Sequence, residues 1–198
     1  TLTSIGSCSP VAVAWSARYC QARSTCSKPG PWPKPSAAGP LAGVASAEEL
    51  AVSVELPKIS VAEYHKPYVA VWIARADHSV AANLAVWYQQ EDGPEGKGET
   101  WLKDMRQWWR RSGRNLEMPV DGVSGPTRSP GQHLVTFDDE GLLKDLPAGD
   151  YVLHVEAARE VGGRELVKIP FAWGSDAPST QTLSGETELG TVSLTLKP

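Results

Sequence analysis

Short runs of alternating apolar residues, each closed by a turn, recur from Leu50 to the end of the chain, and they constrain its fold more than any other feature. Leu50-Ala51-Val52-Ser53-Val54-Glu55-Leu56 alternates at period two and predicts a first strand. Tyr68-Val69-Ala70-Val71-Trp72-Ile73-Ala74 is denser in β-branched and aromatic residues, which predicts a second strand with a central place in its sheet. Asp77-His78-Ser79 marks a turn into a third strand, Leu84 to Tyr88, and this hairpin is expected to face Trp72 and Trp87 into one core. His133 to Phe137, Tyr151 to Ala157, Glu165 to Trp173 after the Gly162-Gly163 turn, and Leu189 to Leu196 complete the series. About seven strands at short intervals predict an antiparallel β-sandwich with one inserted helix.

That helix is expected over Thr100 to Ser112. Trp101, Leu102, Met105, Trp108 and Trp109 recur at helical spacing, while Lys103, Arg106, Arg110 and Arg111 fall elsewhere. Gly113 stands where a C′ glycine ends a helix, and the arginines crowd its last turn, where the macrodipole favours cations. The tryptophan stripe reads first as core packing; the functional alternative is that Trp108 or Trp109 stacks on a ligand.

Charge and cysteine divide the chain. All 23 acidic residues lie from Glu48 onward, whereas residues 1–47 hold four basic residues and no acid. The acidic body argues against nucleic acid as a partner, because phosphate contacts need clustered Lys and Arg. Cys8, Cys20 and Cys26 all precede residue 30, an odd set that is neither a disulfide framework nor a metal site. Residues 1–40 are rich in Ser, Pro, Ala and Gly and are expected to be a disordered arm. Ala45-Ser46-Ala47 followed by Glu48-Glu49 has the small-x-small pattern of a signal-peptide cleavage site, with cleavage after Ala47 and an exported domain over 48–198. The chain has no apolar run of about 18 residues, so no membrane span is expected.

Asp121-Gly122-Val123-Ser124-Gly125-Pro126-Thr127-Arg128-Ser129 is a glycine-flanked hydroxyl loop between the helix and the later strands. It resembles the flavinylation motif, roughly Asp-Gly-x-Ser/Thr-Gly/Ala-Ala-Thr, of sodium-pumping quinone reductase and Rnf subunits. There a periplasmic flavin transferase attaches FMN to the threonine through its phosphate. Asp121, Gly122, Ser124, Gly125 and Thr127 match, with Thr127 as the acceptor; Pro126 replaces the usual alanine. The resemblance implies that Ser124 orders the loop or the phosphate and that Arg128 neutralises the ester.

Two further resemblances bear on the body. The spacing from Leu146 to Ala157 (L-x-A-G-x-Y-x-x-x-V-x-A) is similar to the Ig-like domain of the flagellar hook-capping protein, with Tyr151 at a tyrosine-corner position. The segments Pro67 to Trp72, Leu84 to Trp87, Trp101 to Trp109, Asp121 to Pro130 and Gly149 to Ala157 resemble a family of predicted periplasmic proteins. Members often accompany membrane PepSY reductase-like proteins and flavin transferases, which implies a periplasmic redox setting with those partners.

No hydrolase, phosphate-loop, dinucleotide or zinc-protease motif is present. His65, His78, His133 and His154 share no ligand spacing; His65 and His133 with a carboxylate form a metal or haem site only if folding joins them. Asp138-Asp139-Glu140 reads as a solvated turn. Two functions follow as expectations: a carrier whose chemistry resides in FMN on Thr127, or a cofactor-free Ig-like binding or structural module of the envelope. A catalyst acting unaided is the lesser expectation.

Overall fold

In the computed structural model, residues 48–93 and 96–198 are described. The expected disordered arm, the expected cleavage site after Ala47 and the three cysteines lie outside them.

Nine strands among the described residues form two sheets. One sheet has the order β5-β1-β9-β8, from β5 (Gly131–Asp138), β1 (Glu49–Leu56), β9 (Thr191–Lys197) and β8 (Ser179–Ser184). The other has the order β4-β3-β2-β6-β7, from β4 (Ser124–Pro126), β3 (Val80–Tyr88), β2 (Tyr68–Ala74), β6 (Gly149–Ala158) and β7 (Arg164–Trp173). Leu50, Val52, Val54 and Leu56 of β1 pack against Val69, Val71 and Ile73 of β2 and against Leu153 and Val155 of β6. This apolar core between two sheets makes a β-sandwich, and β2 has the expected central place.

The pairing corrects one detail of the expectation. Every neighbouring pair is antiparallel except β3 with β4, which run parallel. Strands β4 and β8 are additions to the expected set. The first is three residues containing Gly and Pro, and the second, STQTLS, is a largely exposed edge strand without an apolar rhythm. At the head of β6, the Tyr151 hydroxyl donates to the Pro147 carbonyl at 2.8 Å, the backward bond that a tyrosine corner makes.

A second apolar layer covers the outer face of the five-stranded sheet. Here the expected single helix gives way to three short pieces: a 3-10 segment Gly98–Asp104, helix α1 (Arg106–Arg111) and a 3-10 turn Gly113–Asn115. The break falls at Met105, whose ψ of 73° is not helical. A buried carboxylate fixes the restart, since both oxygens of Glu156 accept backbone amides, from Gln107 at 3.1 Å and Trp108 at 2.8 Å. Leu102, Met105 and Trp108 are buried at intervals of three, the spacing at which 3-10 side chains eclipse. Gly113 follows the C-cap Ser112 and lies against the Trp108 ring.

Trp72 and Trp87 do not share a core. Trp87 opposes Val69 and points between the sheets, whereas Trp72 opposes Asn83 and packs under the helical cover. Alternation along the strands separates them: Val69 and Trp72 are an odd number of residues apart, so they occupy opposite faces.

Candidate functional site

The loop after the cover is shaped by its own backbone and one hydroxyl. The Val120 carbonyl accepts the amides of Val123 at 3.2 Å and Ser124 at 2.9 Å, closing a turn with Asp121 and Gly122 exposed at its tip. Gly122 has φ of 70°, a left-handed conformation that glycine adopts without penalty. The Ser124 hydroxyl accepts the Val120 amide at 2.9 Å, so Ser124 orders the loop. Val123 is buried in the outer core, and its carbonyl accepts the Val86 amide at 2.9 Å, which draws the next residues onto the edge of β3. Ser124, Gly125 and Pro126 then pair with Val86, Trp87 and Tyr88. Proline is tolerated there because β4 is an edge strand.

Thr127 follows directly, half-buried, and lines a cleft of about 380 Å³. The cleft is bounded also by Tyr64, His65, Tyr68, Gln89 and Trp101. Its size falls within the roughly 300–1,000 Å³ usual for small-molecule sites. Gly98 forms part of its wall, where any Cβ would run into the Gln89 carbonyl, and the Tyr68 hydroxyl donates to the Gly98 carbonyl at 3.2 Å. Trp101 is 37% exposed. Burial raises the pKa of the Tyr64 and Tyr68 phenols, so both are neutral donors at ordinary pH.

Charge is ordered along one side. His65 lies between two carboxylates, with Nε2 at 3.3 Å from Glu63 and Nδ1 at 3.5 Å from Glu160. Arg159 forms a two-pronged pair with Glu188, at 2.8 Å and 3.0 Å, with both side chains buried. The Glu188 carboxylate holds this guanidinium above its ordinary pKa. A second recess of about 270 Å³ shares Trp101, Asp104, Arg159 and Glu160 with the cleft and adds Arg106 and Arg164.

Several residues singled out in the sequence stand away from the cleft. Trp108 is fully buried and its indole donates to Asn83 at 2.9 Å, so its ring is closed to any ligand. Trp109 packs on the outer core beside it, and neither indole lines the cleft. Trp101, assigned above to the packing stripe, is the indole that does. The Arg128 guanidinium lies 4.4 Å over the Trp87 ring, a cation–π contact, and is not part of the cleft wall. His133 stands edge-on to the same ring at 5.7 Å, and its Nε2 donates to the Ser129 carbonyl at 2.8 Å. His65 and His133 therefore do not converge, and the described residues hold no group of three or more His, Cys, Asp or Glu able to bind a metal. Sequence reading pairs His65 with His133 and does not single out Tyr64, Tyr68 or Gln89 as site residues, because 38 or more residues separate all four from Thr127 and only the β4–β3 pairing brings the two parts together.

A family model for predicted periplasmic proteins, DUF2271, matches residues 49–191. The chain belongs to the DUF2271 family. The match covers strands β1 to β8, the cover and the Asp121–Thr127 loop and stops where β9 begins, and the family description places this DUF2271 protein in the periplasm. No curated protein and no solved structure matches it. No helix among the described residues is long and apolar enough to cross a membrane.

Proposed function

We propose that this DUF2271 protein is a periplasmic electron carrier in which FMN is joined through its phosphate to the Thr127 hydroxyl. One observation carries the reading: Thr127, the acceptor position of the Asp121–Thr127 motif, lines a cleft walled by Tyr64, Tyr68 and Trp101. A planar group anchored at Thr127 has aromatic surface within reach and polar donors at the rim. Bound FMN supplies reversible one- and two-electron chemistry, while the chain supplies anchorage, stacking and electrostatics.

A threonine hydroxyl is a weak nucleophile at neutral pH, so ester formation falls to a periplasmic flavin transferase and its metal. In that step the Thr127 oxygen bonds to phosphorus, the hydroxyl proton leaves, and the bond from phosphorus to the leaving group of an activated flavin nucleotide breaks. Asp121 and Gly122, exposed at the tip, present the loop to that enzyme, and Ser124 holds its shape. Gly125 runs beside the Trp87 ring, where an added Cβ would make only an ordinary contact, 3.4 Å from Cδ1. Trp101 takes the stacking role, with Trp108 and Trp109 anchoring the cover behind it. Electrons then pass to or from a membrane PepSY-type reductase.

Coexpression with a flavin transferase tests the proposal. The expected product is yellow, carries one FMN by intact mass, and loses both properties in Thr127→Ala. A Thr127→Ala variant that keeps the flavin sinks the site; a colourless wild type sinks the carrier and leaves the cofactor-free envelope module.

A further inference from the structure

The surface charge of this protein is concentrated against its own background. Residues 97–114 hold six basic side chains (Lys97, Lys103, Arg106, Arg110, Arg111 and Arg114) and two acids, Glu99 and Asp104. The rest of residues 48–198 holds nine basic and 21 acidic side chains. All six cations of the cover are exposed, and among the described residues none forms an ion pair. Among the described residues, Arg110 is engaged by Gln107 alone, at 3.0 Å, and Lys103 by the Trp101 ring alone, at 5.5 Å. The same segment forms the lip of the cleft, since Gly98, Trp101 and Asp104 line it and Arg106 lines the adjoining recess.

We infer that this basic cover is the docking face for an acidic protein surface, presented by the partner that exchanges electrons with the cleft; the electron-transfer role rests on the carrier reading above, the docking itself does not. An acidic partner is repelled by most of this body and attracted at one place, so the field orients the encounter before contact. That place adjoins the cleft, since Trp101 and Asp104 of the same cover line it, and a redox partner must sit at the cleft. An anionic lipid surface fits less well. Interfacial helices need an exposed apolar face, whereas here Leu102, Met105 and Trp108 are consumed by the core and Trp101 alone stands at the surface.

Two experiments separate the parts. Fluorescent poly-L-glutamate, titrated onto the flavin-free protein, is expected to bind at low salt and to weaken steeply as screening sets in. The triple reversal Arg106→Glu, Arg110→Glu, Arg114→Glu should weaken it by about tenfold or more. All three are exposed, and circular dichroism verifies that the variant is folded. Reversal of three exposed cations elsewhere, Lys58, Lys144 and Lys168, changes the net charge equally and should have little effect. Equal losses in the two variants, or tighter binding to phosphatidylglycerol vesicles with a blue-shifted indole emission, overturn the inference.

The second experiment uses flavin-loaded protein. Two ferricyanide ions each take one electron from the reduced flavin, giving two ferrocyanide ions and the oxidised flavin, with two protons released from the neutral hydroquinone or one from its anion. The rate is expected to fall with added salt, because the basic cover beside the cleft attracts the anion although the net charge of the protein is negative. A rate that rises with salt separates the basic cover from the cleft and overturns its redox role. If no flavin is attached, the carrier reading fails alone, and poly-L-glutamate still decides the docking.

Discussion

Two tryptophans seven residues apart differ sharply in exposure and in the roles expected of them. Trp101 stands at the cleft mouth, 37% exposed, while Trp108 is fully buried under the cover. Trp101→Ala is expected to change the unfolding free energy by no more than about 0.5 kcal/mol while altering the fluorescence of an attached flavin. Trp108→Ala should cost about 3–5 kcal/mol in urea denaturation, through the cavity it leaves. Periodicity could not separate these two rings, since both recur at helical spacing; the change to 3-10 winding decides which is buried. Local chemistry was more legible, because Gly122 and Ser124 act within five residues of each other and need no distant partner. His154 gives a second prediction at this scale. It is buried, stacked on Trp72 at 4.8 Å, and its Nδ1 has no partner. Burial, reinforced by Lys168, lowers its pKa from 6.5 to about 4. Above pH 6.5 the ring is neutral in both states and contributes no pH dependence. Between 6.5 and 4 the unfolded chain binds the extra proton, so stability falls as pH falls, by about 2 kcal/mol at pH 5. Urea midpoints at pH 7 and pH 5 measure this, and His154→Phe should remove the difference.

The strands and the cover were legible to different degrees. Strands β1, β2, β6, β7 and β9 each carry a full apolar face, and the sequence marks them within a few residues. β4 and β8 have no such face, and pairing to a neighbour makes them strands. The cover was misread as one helix because the residue that divides it, Glu156, lies some fifty positions later on β6. Its carboxylate is fully buried, accepts two amides of α1 and pairs with Arg164 at 2.7 Å. Glu156→Ala leaves those donors without an acceptor and should cost about 2–4 kcal/mol, read as a lower urea midpoint. Glu156→Gln, which keeps one acceptor oxygen, should recover part of that loss. The cleft wall near Gly98 belongs to the same cover and should loosen with it, which intensity changes in Tyr64 and Tyr68 fluorescence would reveal.

At the scale of the molecule, a β-sandwich carries a third layer on one face, and the candidate site forms where that layer meets a sheet edge. Such a junction is invisible to any window along the sequence: its parts come from the chain before β2, the end of β3, the cover, and the residue after β4. The sandwich itself needs only alternation and turns, which explains why fold class was readable and the cleft was not. Pairing of β4 to β3 has one more consequence. Thr127 emerges from hydrogen-bonded sheet rather than from a long flexible tether, so a group hung on it has a fixed socket instead of a swinging arm. On the carrier reading proposed above, such a protein would not reach out to shuttle between two stations; donor and acceptor would visit the same mouth in turn, and their traffic, more than any motion of an attached group, would set the pace of turnover.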